Sequence, residues 1–268
     1  MLAMLYTGAA VMLALQDDRL EPASKPVSAS KIAIFGASGT AGDGILKAAL
    51  ASPDVRDIRV ITRRTTPRIE QGVASGKVRV TLHTDYLDYS AIEAQLIDID
   101  SVFWAIGLSS LGVDEKTYGT IHVDYPARFV ARWLAVSDKP AISFHYISSS
   151  DISDDSSAMW AREKVRAERT LFQLAKGTKL QVVAYRPDYI GPTDEEAHLG
   201  QILLYWFFAP IGAAVKAEKI GKAMIEVTAA RLGEITNEPR LGTRTIIRYA
   251  DAYDRRQAIS ATAVRTAP

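Results

Sequence analysis

From Lys31 onward, short runs of β-branched and aromatic residues alternate with longer stretches whose apolar positions recur every three or four residues. Lys31–Phe35 (KIAIF) predicts a first strand ended by glycine, and Thr40–Ala51 a helix rich in alanine and leucine. Arg59–Thr62, Val78–Leu82, Ser101–Ile106, Ala141–Ile147 and Leu180–Tyr185 predict five further strands. Ala91–Ile97 suits a short helix, Val123–Val136 and Met159–Ala175 longer ones, and a vaguer helix falls near Ile220–Leu232. Strands alternating with helical patterns imply βαβ units, hence an α/β fold with a doubly wound parallel sheet and helices on both faces.

The two ends break this rhythm. Met1–Leu15 carries no charge, and Asp17–Ser30 is polar with two prolines. The uncharged run is shorter than a membrane span of ~20 residues and lacks the Lys or Arg that precedes a signal-peptide core. It reads as an extra helix or an upstream extension, with a signal or membrane anchor as the alternative. Residues 1–30 are therefore expected outside the fold, 31–255 as the main domain with lid elements over about 194–255, and 256–268 as a flexible tail. The apolar run Ile202–Val215 (ILLYWFFAPIGAAV) is expected to be a lid helix or buried core, with a partner interface or membrane contact as alternatives.

The first strand runs into Gly36-Ala37-Ser38-Gly39-Thr40-Ala41-Gly42, spaced GxxGxxG. The first glycine permits the tight turn, the second lets backbone amides approach a pyrophosphate, and the third allows close helix–strand packing. The phosphates then sit at the positive end of the helix dipole. A glycine triplet alone is weak; after a strand, before a helix and at the head of a βαβ series it has the context of a Rossmann-like dinucleotide site rather than a bare structural turn. The second strand ends in Thr62-Arg63-Arg64, where an NAD-preferring site would place an acidic residue for the ribose 2′-hydroxyl. Arginine suits a 2′-phosphate, so NADP(H) is expected over NAD(H); the alternative is two solvated arginines. Asp85 and Tyr86 follow the third strand, where an adenine edge and face can be met, or where they are a turn aspartate and a surface tyrosine.

Together these residues resemble the atypical short-chain dehydrogenase/reductases, in particular the Tat-interacting-protein-like group with NmrA-like proteins as neighbours. The resemblance is carried by GASGTAG, by Thr84-Asp85-Tyr86-Leu87-Asp88, and by Ala105-Ile106-Gly107 with the following SSLGVDEKTYGTIHVDY. It continues in Ser148-Ser149 and in Arg186-Pro187 followed by Gly191-Pro192, so that it spans roughly Lys31 to Thr193. It implies cofactor contacts at Ala105, Gly107 and Pro187, beside a serine–tyrosine–lysine catalytic set. Ser149 would position a carbonyl, and Lys164 would hold the nicotinamide ribose. The tyrosine four residues before that lysine is replaced by Trp160. An indole N–H donates a hydrogen bond but has no acid–base couple near neutral pH. Tyr118, Tyr146, Tyr189 and Asp151 are alternative proton donors by proximity, as is a water relayed through Ser149. Trp160 also reads as a core aromatic, and Lys164 as a solvated helix lysine. Two functions follow: an oxidoreductase on a small carbonyl, alcohol or activated alkene, or a cofactor-binding regulator without turnover.

Composition narrows the rest. The chain has 268 residues, 48% hydrophobic and 24% charged, near the globular average, which excludes collagenous and largely disordered classes. A net charge of +1 gives no basic footprint for nucleic acid. Without cysteine there is no disulfide, thiolate chemistry or cysteine-ligated metal. His83, His122, His145 and His198 show no HxH or HExxH spacing, so no metal site is expected. No GxSxG elbow or P-loop occurs. A cytoplasmic location is expected, with membrane association or targeting through residues 1–16 as the alternative.

Overall fold

The computed structural model describes residues 6–7, 19–27, 30–195, 198–231 and 239–266. Its core is a seven-stranded parallel sheet in the order β3-β2-β1-β4-β5-β6-β9. The strands are β1 (Lys31–Phe35), β2 (Asp57–Thr62), β3 (Val78–Leu82), β4 (Ser101–Trp104), β5 (Ile142–Ile147), β6 (Leu180–Arg186) and β9 (Arg240–Gly242). The order reverses between β1 and β4, and this switch point opens the crevice in which such sheets bind ligands. The central strands are buried along nearly their whole length, which is why they read as continuous rather than alternating apolar runs.

Helices cover both faces. On one lie α1 (Thr40–Ala51), α2 (Pro67–Ala74), α7 (Ala217–Arg231) and α8 (Thr243–Thr266), over a core that includes Ile34, Ile45, Ile58, Met224 and Ile246. On the other lie α3 (Glu115–Gly119), a π-helical turn (Thr120–Asp124), α4 (Tyr125–Val136) and α5 (Met159–Ala175). They cover an aromatic core of Phe35, Trp104, Phe129, Trp133 and Phe144. Ser90–Gln95, expected as a short helix, is a 3-10 turn. The helix expected from Val123 begins at Glu115, because Asp114 caps it by accepting from Thr117 N at 2.9 Å.

Both ends depart from expectation. The segment 19–27 packs on the domain: Val27 N donates to Ala229 O at 3.0 Å and Ala23 N to the carboxylate of Glu226 at 2.9 Å. The rest of the uncharged run 1–15, apart from Tyr6 and Thr7, lies outside the described residues. The expected flexible tail is instead the second half of α8, helical to Thr266. Buried Arg256 donates there to Glu226 at 2.7 Å and to Asp54 at 2.8 Å, so this end of the chain is tied to the core.

Past β6 the chain forms a two-stranded parallel pair, β7 (Tyr189–Gly191) and β8 (Ala214–Lys216), linked by α6 (Leu199–Phe208) and a 3-10 turn (Ala209–Ile211). The buried-core expectation holds for Ala214 and Val215 but fails for α6, which buries no residue.

Candidate cofactor and active site

The glycine loop closes directly over the end of β1. Gly36 has φ +80°, and a Cβ there would lie 2.5 Å from the carbonyl carbon of Ala105, so the loop sits against the end of β4 only because the position is glycine. A Cβ on Gly42 would overlap the Gly36 carbonyl. Gly39 differs: its backbone is extended, and a Cβ would meet only the Gly36 oxygen, at 3.6 Å. Gly39 is the N-cap of α1 and has no side chain with which to cap it, so the first-turn amides of Thr40 and Ala41 and the positive end of the dipole are left for a ligand.

A groove of about 410 Å³ extends from this loop. Gly36, Ser38 and Gly39 line it, with Thr62, Arg63 and Arg64 after β2, Thr84 and Tyr86 after β3, and Ala105, Ile106, Gly107 and Leu108 after β4. Ile121 and Tyr125 close it from the helical layer. The lining holds two arginines and no carboxylate. Thr62 Oγ1 donates to Arg64 O at 2.8 Å and accepts from Arg64 N at 3.3 Å, fixing the turn that carries both exposed guanidinium groups.

Tyr86 is buried, not a surface residue. Its ring meets Phe35 at 6.4 Å, His83 at 5.4 Å and Tyr125 at 5.4 Å, forming an aromatic wall of the groove, and burial pushes its phenol up. Asp85 is exposed and folds back to accept from Leu87 N at 3.0 Å, a turn role. Thr62, Thr84, Ile106, Leu108, Ile121 and Tyr125 also line the groove; sequence assigns none of them a cofactor contact, although all but Leu108 lie in the quoted motifs.

The residues expected to be catalytic gather at the carboxyl ends of β5 and β6, beside this groove rather than in its lining. Ser148 is buried and donates through its N–H to Tyr185 O at 2.7 Å; Ser149 is half-buried. Pro187 is buried and accepts from Ser150 N at 3.2 Å. Trp160 is half-buried on the first turn of α5, and Lys164 follows one turn later, buried, which excludes the solvated-lysine reading. Lys164 Nζ donates to Ile147 O at 3.0 Å and to the Tyr146 hydroxyl at 3.4 Å. Burial lowers its pKa to about 7, against the opposing pull of the Glu168 carboxylate.

His122 links the two halves. Its ring packs so closely on Gly107 that a Cβ there would lie 2.9 Å from Cε1, and its carbonyl accepts from the Tyr146 hydroxyl at 3.1 Å. Burial, reinforced by the charge of Lys164, holds His122 near a pKa of about 3, so its ring is neutral. Behind Lys164, buried Glu168 is gripped by Arg186 Nε at 2.8 Å and Nη2 at 2.6 Å, and by Arg240 Nε at 2.9 Å. Burial alone would raise its pKa; the bonds from the arginines hold it below the usual range.

None of the alternative proton donors lines the groove. Tyr146 is fully buried and its phenol is pushed well up by desolvation. Tyr118 is buried against His122, with ring centroids 4.1 Å apart, and is raised to about 12 by burial. Tyr189 lies on β7 near Phe208, and Asp151 is exposed with φ +50°. Among the described residues no group of three His, Asp or Glu is placed to hold a metal ion.

Comparison with known proteins agrees with this architecture. No family model matches the chain. The mitochondrial protein fmp52 of Emericella nidulans is 24% identical over 217 residues, covering 77% of this chain and 91% of that protein. A short-chain dehydrogenase/reductase from Serratia marcescens superposes with a TM-score of 0.63 at 16% identity, over 81% of this chain and 97% of that one. BdcA in complex with NADPH gives 0.61 at 12% identity, over 80% and 93%. The UDP-glucuronic acid 4-epimerase of Bacillus cereus with NAD gives 0.58 at 16% identity, over 79% and 77%. The fold is the Rossmann-like α/β fold of the short-chain dehydrogenase/reductases and related nucleotide-binding proteins.

Proposed function

We propose that this chain binds NADP(H) and belongs with the atypical, Tat-interacting-protein-like or NmrA-like short-chain dehydrogenase/reductases, as an oxidoreductase on a small carbonyl, alcohol or activated alkene. The observation that carries the reading is the groove itself. An uncapped helix N-terminus lies at one end, Arg63 and Arg64 stand beyond β2, and no lining carboxylate competes for a ribose hydroxyl. Two guanidinium groups suit a 2′-phosphate through charge-assisted, bidentate bonds. The aromatic wall of Tyr86 suits an adenine face.

When bound, the nicotinamide supplies the hydride. Lys164 would hold the adjoining ribose, and Ser149 would orient the substrate oxygen. Trp160 can donate a hydrogen bond to that oxygen but cannot exchange a proton with it. This specific residue supports the second reading, a cofactor-binding regulator without turnover.

Dissociation constants for NADPH and NADH test the cofactor assignment. Tighter NADH binding overturns the NADP(H) preference, and binding of neither removes both functional readings. NADPH oxidation against a panel of carbonyls and activated alkenes then separates enzyme from regulator. Binding without turnover selects the regulator. Turnover created by Trp160→Tyr identifies the missing acid as the limiting element.

A further inference from the structure

Helix α6 is built inside out. At 3.6 residues per turn, Leu199, Ile202, Leu203, Leu204, Trp206 and Phe207 span about 200° of its circumference. All six are exposed, Leu199 by 76% and Trp206 by 71%. The side turned to the protein is the narrow stripe of Gln201, Tyr205 and Phe208, which are only half-buried. Polar Gln201 thus faces inward and leucines face water, the reverse of an ordinary surface helix.

The same surface continues beyond the helix. No charged residue occurs from Leu199 to Val215. Tyr6, within the uncharged run 1–16, stacks on Phe207 with ring centroids 5.6 Å apart and donates to its carbonyl at 2.6 Å. A residue of the N-terminal run, distant in sequence, thus sits against the exposed face of α6. Among the described residues, the charges that flank α6 in sequence are paired: Lys216 with Asp194 at 2.8 Å, and Glu195 with Lys47 at 2.8 Å.

We propose that α6, with Tyr6 beside it, docks in the interfacial layer of a lipid bilayer as a monotopic contact. Three features favour lipid over a second protein. The apolar arc is wider than a flat partner covers, since a helix seam needs little more than ~100°. Trp206, Phe207 and Tyr6 cluster at one end, and ring-bearing side chains of this kind favour the headgroup boundary. Of the described charged residues that flank α6 in sequence, Asp194, Glu195 and Lys216 are each taken up in an ion pair rather than turned to a partner. Helix α6 has ten residues, short of the ~20 that a span requires, so its contact is a lying-in one. Recognition is apolar, and zwitterionic phosphatidylcholine suffices.

Flotation of the full chain with phosphatidylcholine vesicles tests this. The wild type floats, with little loss in 0.5 M NaCl, and its tryptophan emission shifts to the blue. Trp206→Phe keeps flotation and loses most of the shift, because Trp104 and Trp133 are fully buried and Trp160 is half-buried on α5, outside the patch. Leu203→Glu with Trp206→Glu lowers partition by about tenfold or more, and the milder Leu203→Gln by less. NADPH binding and far-UV circular dichroism of each variant verify the fold and keep this test separate from the cofactor reading. Absence of wild-type flotation, or flotation unchanged in the double variant, overturns the proposal. So does a solution dimer that fails to float and dissociates in the same variant, since a second copy would then be the occupant.

Discussion

Lys164 Nζ donates to the carbonyl oxygen of Ile147 at 3.0 Å, fastening α5 to the end of β5 one residue before Ser148. The ammonium is held in a place that disfavours its charge, since burial lowers its pKa from 10.5 to about 7. Between those values the unfolded chain keeps a proton that the folded chain has released, so this group makes stability rise with pH from about 7 toward 10.5. Lys164→Met removes that contribution. Urea unfolding at pH 7 and pH 9.5 should show wild-type stability gaining on the variant as pH rises; a constant difference would contradict the burial account.

Arg63 and Arg64 give a second expectation. Neither side chain contributes to the core, so replacing both by alanine leaves the thermal midpoint unchanged. Each charge-assisted bond lost is worth roughly 1.5–3 kcal/mol, so NADPH affinity falls by about tenfold or more while NADH affinity hardly moves. Calorimetric titration of both nucleotides reads the change.

The glycines of the loop separate structure from ligand. Gly39→Ala meets only the Gly36 oxygen at 3.6 Å, so the free protein keeps its stability. On the proposed cofactor reading the added methyl crowds a pyrophosphate approaching these amides, and NADPH binding weakens by about tenfold. Gly42→Ala collides with the Gly36 carbonyl and lowers the thermal midpoint even without nucleotide. Equal behaviour of the two variants would contradict this division.

Arg256→Leu checks the C-terminal helix. The change leaves Glu226, only 1% exposed, without its guanidinium partner. Removing one member of such a pair costs about 3 kcal/mol. Urea unfolding should show a loss of that size; an unaltered midpoint would mean that this part of the chain is not anchored.

Much of the sheet was legible because parallel strands buried on both faces leave short, dense apolar runs. KIAIF and VRVTL match β1 and β3 residue for residue, and Met159–Ala175 matches α5. The omissions have physical causes. Helix α2 is short, mostly polar and set by Pro67 and the Thr66 cap rather than by an apolar face. Strand β9 has three residues and buries only Leu241. The run 256–268 reads as a tail because its apolar residues are small and scattered; it is helical to Thr266 because it continues the helix that Ile246, Ala250 and Tyr253 anchor in the core. At the site, the loop glycines announced themselves by spacing. His122 did not: its ring reaches Gly107 from the π-helical turn, a placement that no sequence spacing announces.

Helix α1, whose N-terminus opens onto the groove, owes its own support to a helix far later in the chain. Gly44 lies directly against Ala217, and Gly221 packs on Ala48 and Ile45, so α7 closes over the outer face of α1 with backbone nearly touching backbone. During synthesis the glycine loop leaves the ribosome early, yet the surface that steadies it arrives only after β6, the β7–β8 pair and α6 have emerged. Until α7 has emerged, the nascent chain carries α1 with that face uncovered, so this layer closes only once the β7–β8 pair and α6 have been made.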